Sequence, residues 1–382
     1  MYLGIDASNI RAGGGVTHLV ELLKVAEPEP HGFEKIFLWS GTQTLNRIEP
    51  QPWLEKIHDS QLDGSLLMRG YWQRFKLDQL ARQANCNLLF VPGGTYNGYF
   101  HPYVTMSRSL LPFQPEEARR YGVFSQMFLK MQILHRSQTH AMRQANGVIF
   151  LTEYAQGVVM SALGNLRGAT TVISHGVNRT FDCPPRAQKP LASYSIKNPF
   201  RILYVSIVTV YKHQWHVAKA IAQLREAGFP VQLDLIGPAY EPALKRLQRT
   251  LNDLDPNCEF IRYRGLVSYA ELHHEYQKAN AFVFASSCET FGQIVTEAMS
   301  AGLPIICSNT GTMKELLGEA AVYFHPEQPD DIAQAICLAL EDTERRQQMA
   351  EMAYARSHFF SWEKCADNTF AFLAEISRTY KQ

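Results

Sequence analysis

Glu289 and Glu297 stand where a chain of this pattern can place carboxylates beside a ligand. The apolar residues 281–285 read as a buried parallel strand, which ends in Ser286, Ser287, Cys288 and Glu289. A helix is expected to open near Phe291 and Gly292. Glu289 then lies on the loop at the strand's carboxyl end, and Glu297 lies within the first turns of the helix. Open α/β sheets bind their ligands at that edge. A helix start offers backbone N–H groups and the positive end of a dipole to a phosphate. Two acids beside such a start suit a ligand that carries both an anion and hydroxyl-bearing rings. A nucleotide-sugar has that chemistry. Glu297 would accept both hydrogens of a ribose diol, and Glu289 would hold hydroxyls of the attached sugar.

The elements that must position these side chains are legible in outline. At 382 residues the chain is long for a single core and suits two domains. Strands are expected at 3–6, 36–39, 87–91 and 148–151, with a helix over 17–26. A second series follows at 201–205, 232–236, 259–262, 281–285, 304–307 and 321–324, with helices over 241–254 and 268–279 among the intervals. Alternating strands and helices predict α/β units with parallel sheets. Residues 182–198, with Pro184, Pro185 and Pro190, lack periodicity and read as the linker between the two domains. A last amphipathic helix runs from Trp362 towards Tyr380.

Gly13, Gly14 and Gly15 follow the first strand and precede a helix. Without a Cβ, backbone amides there can approach a phosphate closely. The spacing is neither that of a P-loop nor that of a dinucleotide fingerprint, so nucleotide hydrolysis and nicotinamide binding are not supported. Residues 118–152 carry Arg119, Arg120, Lys130, Arg136 and Arg143 and no acid. Within them, 123–142 is rich in Phe124, Met127, Phe128, Met131 and Leu134. Two readings stand: a domain helix with its apolar face in the core, or a basic amphipathic helix resting on an anionic bilayer.

Composition narrows the class. Hydrophobic residues at 46% and charged residues at 19% fit a soluble globular chain. A formal net charge of +1 gives no field that would select nucleic acid. The seven cysteines are scattered with no C-x-x-C pair, which argues for free thiols and against a zinc site or disulfide frame. The start of the sequence lacks a signal-peptide pattern, and no apolar run is long enough to span a bilayer. A cytoplasmic location is expected, with the inner face of the membrane as the place of any peripheral contact.

The segment from Glu289 to Pro304, with Thr290, Phe291, Gly292, Glu297, Ala298 and Gly302 in place, resembles the E-x7-E signature of retaining glycosyltransferases of family 4, which have the GT-B fold. Ser308, Gly311 and Glu315 match the next loop of that family, and the likeness covers most of the carboxyl half. The resemblance implies two doubly wound Rossmann-like domains facing a central cleft, an amino-terminal one over 1–185 and a nucleotide-sugar-binding one over 199–363. Helix 364–382 would pack back on the first. It implies transfer of a sugar from a nucleotide-diphosphate sugar to a glycan or lipid-linked acceptor, as in cell-surface polysaccharide or lipopolysaccharide synthesis.

The same resemblance assigns roles. Lys212 and the amides near Phe291 and Gly292, together with the Gly14–Gly15 turn, would hold the diphosphate. Glu297 would grip the ribose and Glu289 would orient the sugar. No metal or other cofactor is expected, since cations and helix dipoles hold the charge. Two departures stand out. Ile207 takes the position of a diphosphate-binding arginine, whose loss removes on the order of 2–4 kcal/mol where comparable contacts are deleted. Ser107 and Arg108 replace a His-Asp pair that faces the acceptor in many relatives. These departures leave two alternatives open: a non-catalytic nucleotide-sugar-binding subunit and a sugar-nucleotide epimerase of the same fold.

Overall fold

Short runs of Val, Ile, Leu and Phe become strands in two separate sheets, and every ladder between them is parallel. The structure is a computed structural model and describes residues 1–380. It divides into two units, Met1–Gly176 with the residues from Ser361 onward, and Val177–Phe360.

The first unit holds strands β1 (Tyr2–Asp6), β2 (Lys35–Ser40), β3 (Leu54–His58), β4 (Leu88–Val91), β5 (Tyr103–Met106), β6 (Gly147–Phe150) and β7 (Ala169–Val172). Their order in the sheet is β3-β2-β1-β4-β5-β6-β7. β4, β5 and β6 are buried along their whole length and form its core. The sequence pattern does not reveal β3, β5 or β7. β3 and β7 are edge strands with no buried position, so they lack a continuous apolar run. β5 is only four residues long and follows Pro102 directly.

The second unit holds β8 (Phe200–Val205), β9 (Val231–Ile236), β10 (Ile261–Tyr263), β11 (Ala281–Phe284), β12 (Ile305–Ser308) and β13 (Ala321–Phe324), in the order β10-β9-β8-β11-β12-β13. Both sheets are therefore Rossmann-like, and in each the chain runs outward in opposite directions from one central pair, β1/β4 and β8/β11. The α/β class and the doubly wound form of each unit agree with the pattern of strands and helices in the sequence.

Two connecting segments take shape only in three dimensions. Residues 182–198 run over the second unit, where the buried Arg346 donates to Gln188 Oε1 at 3.0 Å and to the Lys189 carbonyl at 2.5 Å. The helix Trp362–Thr379 lies within the first unit. There Phe370 meets Phe33 edge-on, and Phe372 fills the space beside Gly147, where a Cβ would stand 2.9 Å from its ring. The basic helix spans Gln126–Gln144 rather than starting at 123, because Gly122 turns with φ 87° and Ser125 caps the Phe128 amide.

Candidate functional site

The order of the second sheet makes the β8/β11 pair its switch point, the place where ligands bind in open α/β sheets. Two loops leave the carboxyl ends of these strands, and they are tied together. The Ser287 amide donates to the Tyr211 carbonyl at 2.9 Å, and His213 Nε2 lies 2.9 Å from Ser287 Oγ. The Tyr204 hydroxyl, carried on β8, donates to the Lys212 carbonyl and accepts from the Ala285 amide at 3.2 Å. His213 takes a left-handed conformation with φ 50°, which turns the chain into the helix Gln214–Glu226.

This stitching brings Lys212 and Glu289 into a direct ion pair. Their side chains are 7% and 14% exposed, so the pair is nearly dry. The ammonium also lies 4.7 Å from the centre of the Phe284 ring. Such a pair offsets its own desolvation only while both partners are present. The lysine and the loop glutamate, expected to meet different parts of one ligand, hold each other directly.

Glu297 occupies a different environment. It lies on the helix Gln293–Ser300, is 2% exposed, and has no cation against it. The Tyr276 hydroxyl donates to its Oε2 at 3.0 Å, and the Tyr269 hydroxyl reaches Oε1 at 3.5 Å. Both tyrosines belong to the helix Tyr269–Lys278, and Phe181 packs edge-on against both rings. Burial pushes the Glu297 carboxyl up to about 8, and the two tyrosine bonds counter that only in part. One glutamate is thus ion-paired, while burial pushes the other towards its neutral form.

The turn between them is built around a glycine. Gly292 has φ 92°, and a Cβ there would meet Met313 Cε at 2.7 Å, so only glycine fits without strain. Phe291 is 3% exposed and meets Phe360 edge-on at 5.5 Å. The Thr312 hydroxyl donates to the Glu289 carbonyl at 2.7 Å, and Ser308 donates to the Ser286 carbonyl at 2.6 Å. Lys212, Glu289, Phe291, Gly292 and Glu297 accordingly all belong to the second unit, on loops and a helix at one sheet edge. Ile207 lies on the loop after β8, exposed and uncharged.

Gly14 and Gly15 belong to the first unit, at the start of the helix Gly14–Val25 that follows β1. Arg108, just past β5, lies against Gly15. His101 precedes β5 at the opposite sheet edge and bonds Asn146 Oδ1 at 3.0 Å, a structural position. Sequence reading passes over Tyr269, Tyr276, His213, Ser287 and His18. The seven-residue spacing of the two tyrosines, which puts them on one helix face, is the one local signal for any of them.

One group of metal-ligand type occurs among the described residues: His18, His175 and Cys365, all buried, with ligand atoms within 4.8 Å of one another. The nearby charge of Arg108 bears on both imidazoles and opposes a cation there. The triplet Asp253-Leu254-Asp255 has the spacing of a metal-binding motif, but Asp255 is occupied. Its carboxylate accepts from the amides of Glu259, Phe260 and Ile261 at 2.7–2.9 Å.

The chain is similar to known proteins in part of its sequence and in its fold. Residues 188–356 match the family described as Glycosyl transferases group 1. O-antigen chain mannosyltransferase B of Escherichia coli is 36% identical over 110 residues, which make up 29% of each chain. Glycogen synthase of Mycobacterium tuberculosis is 26% identical over 259 residues, 66% of this chain and 59% of that protein. The chain therefore spans well under the full length of these curated relatives. Among solved structures, a sucrose-phosphate synthase from Thermosynechococcus elongatus superposes with a TM-score of 0.77 at 17% identity, covering 99% of this chain and 100% of that one. The fold of the chain is that of the GT-B proteins.

Proposed function

We propose that this chain, whose residues 188–356 match glycosyl transferases group 1, moves a sugar from a nucleoside-diphosphate sugar to a hydroxyl of a glycan or lipid-linked acceptor. The observation that carries the reading is the Lys212–Glu289 pair at the β8/β11 switch point, with Glu297 buried on the helix that follows. The names of several relatives, mannosyltransferase and glycogen synthase among them, support the same reaction class.

In this reading Glu297 loses its proton to the solvent and accepts both ribose hydroxyls. Lys212 leaves Glu289 for the diphosphate, and Glu289 turns to hydroxyls of the sugar. The amides at Phe291 and Gly292 add hydrogen bonds to phosphate. Transfer proceeds with retention. The acceptor oxygen bonds to the anomeric carbon on the face the phosphate leaves, the carbon–oxygen bond to phosphate breaks, and the acceptor proton passes to the departing phosphate oxygen. Positioning and stabilisation of phosphate charge supply the rate, with no metal required. Assembly of cell-surface polysaccharide or lipopolysaccharide is the setting that suits such an acceptor.

Screening sugar nucleotides for a rise in melting temperature identifies the donor, since a ligand of the native state stabilises by mass action. Turnover that requires an added acceptor, with the anomeric configuration kept in the product, is the expected result. One feature favours a second reading: the uncharged Ile207 leaves the loop after β8 with a single cation. A nucleotide-sugar-binding subunit would bind the donor and release no nucleotide with any acceptor. An epimerase would rearrange the sugar with no acceptor present.

A further inference from the structure

One face of the second sheet is polar where an inner parallel strand is ordinarily apolar on both sides. Right-handed crossovers put the helices after β8 and β9 on one face, and the helix Tyr269–Lys278 returns from β10 to β11 along the other. β9 lies between β8 and β10, and its Val231, Leu233 and Leu235 alternate with Gln232 and Asp234. Gln232, 4% exposed, and the half-buried Asp234 line a cavity of about 350 Å³ on the side of that returning helix. Small-molecule pockets occupy about 300–1,000 Å³.

The walls of the cavity are charged. Arg201 stands opposite Gln232 on β8, and Arg262 stands opposite Asp234 on β10. With Arg264 and Lys278 they make four cations against two carboxylates, Asp234 and Glu275. Glu275 pairs with both Arg264 and Lys278, the latter at 3.0 Å. Asp234 Oδ2 accepts from the Gln232 amide at 3.2 Å. Burial raises the Asp234 carboxyl above its ordinary value, and the charges of Arg262, Arg264 and Arg201 counter that only in part. Among the described residues Arg201 and Arg262 form no ion pair.

Two guanidinium groups therefore flank a floor made of an amide and a carboxyl. Guanidinium groups match phosphate oxygens in charge and shape, whereas Asp and Gln side chains bond hydroxyl groups. A bare anion would meet the Asp234 carboxyl, and a neutral sugar would leave both arginines unanswered. We propose that this cavity is a second ligand site of the unit, for a phosphorylated sugar or polyol, with Arg201 and Arg262 on the phosphate and Gln232 and Asp234 on hydroxyls. Arg201 lies at the amino end of β8, whereas Lys212 follows its carboxyl end, so the site is separate from the switch point. It does not rest on the glycosyl-transfer reading.

The test uses the full chain in titration calorimetry at fixed ionic strength. The probes are inorganic phosphate, glucose, glycerol phosphate and a panel of hexose monophosphates. At least one phosphorylated probe should bind tenfold or more tightly than inorganic phosphate and than glucose, and saturating UDP or GDP should not displace it. A panel in which none exceeds inorganic phosphate overturns the proposal, as does displacement by the nucleotide.

Arg201→Gln combined with Arg262→Gln alters two exposed side chains, so the melting temperature should hold. Affinity for the selected probe should fall at least tenfold, while nucleotide affinity stays within two-fold. Asp234→Asn should narrow the gap between that probe and inorganic phosphate several-fold. Unchanged probe affinity in the double variant, or an unchanged gap in Asp234→Asn, overturns the assignment. A chain that binds the probe but no nucleotide would sink the donor reading and leave this site standing.

Discussion

Lys212 and Glu289 form an ion pair between the loops that follow β8 and β11, with both side chains largely withdrawn from water. Among the described residues each is the other's only ion-pair partner, so neither can be removed without leaving the other's charge in a poorly solvated site. A ligand that takes both must offer an anion to the lysine and hydroxyl groups to the carboxylate.

Glu289→Ala should lower sugar transfer by about 100-fold or more while leaving nucleotide affinity within a few-fold. Lys212→Ala should lower transfer by a similar factor. Breaking the pair should also lower stability by about 3–5 kcal/mol, more than the double variant costs relative to either single one. Steady-state kinetics and urea melts of the two single variants and the double variant check this. Equal and negligible effects on turnover would remove both residues from the site.

Glu297 links stability to pH. Its folded pKa of about 8 lies above the ordinary carboxyl value of 4.5, so the native state binds more protons than the unfolded chain between those values. The contribution is fully present below 4.5 and is lost as pH rises through about 8, with a slope of up to about 1.4 kcal/mol per pH unit. Glu297→Gln should flatten that part of the profile. Nucleotide affinity of the wild type should strengthen as pH rises towards 8, because the ribose needs the carboxylate. Chemical denaturation and titration across pH 5–9 read both effects, and a wild-type profile matching Glu297→Gln sinks the assignment.

Gly292→Ala places a Cβ at φ 92° against Met313. A loss of about 1–3 kcal/mol of stability is expected, together with weakened nucleotide binding through the displaced turn. Gly14→Ala, with open space around its Cβ, should be tolerated in stability. A Gly292→Ala protein as stable as the wild type would show that the turn relaxes freely.

Val123, Phe124, Leu129 and Ile133 are exposed on and just before the basic helix Gln126–Gln144, and Leu67, Tyr71 and Phe75 are exposed on the helix Leu66–Phe75. Basic residues with exposed apolar side chains favour an anionic bilayer. Liposomes with anionic lipid should pellet the protein, and Phe124→Ser with Leu129→Ser should reduce pelleting several-fold. No pelleting at low salt retires the membrane contact. No helix among the described residues is long and apolar enough to cross a membrane.

Treatment with EDTA followed by desalting should leave transfer unchanged within about two-fold, since Lys212 and helix amides carry the phosphate charge in the proposed mechanism. Activity lost on chelation and restored by Mg²⁺ or Mn²⁺ would require a different site chemistry.

Local pattern carried the α/β class a long way. The helix Glu241–Leu254 and the strand Ala321–Phe324 fall where periodicity places them, because a buried strand needs an apolar run and a surface helix needs a stripe. Edge strands β3 and β7 escape that reasoning, since neither has a fully buried position to mark it. The helix start at Gly292 was legible from Gly292 itself and the strand before it. That the carboxyl of Glu297 would be protonated was not, because its environment is made by Tyr269, Tyr276 and Phe181 from other elements.

By itself the sequence determined which residues are available and where each lies along its own strand, loop or helix: Glu289 past a strand, Glu297 inside a helix, Gly15 at a helix start. Only the tertiary structure decided their partners. Lys212 meets Glu289 across 77 positions, and Arg108, just past β5, meets Gly15 at the start of the helix after β1. The physical reason is that side-chain periodicity is set by neighbours a few residues away, whereas contacts across a sheet depend on strand order. Strand order, and with it the charge state of every group at the sheet edge, is a property of the folded chain.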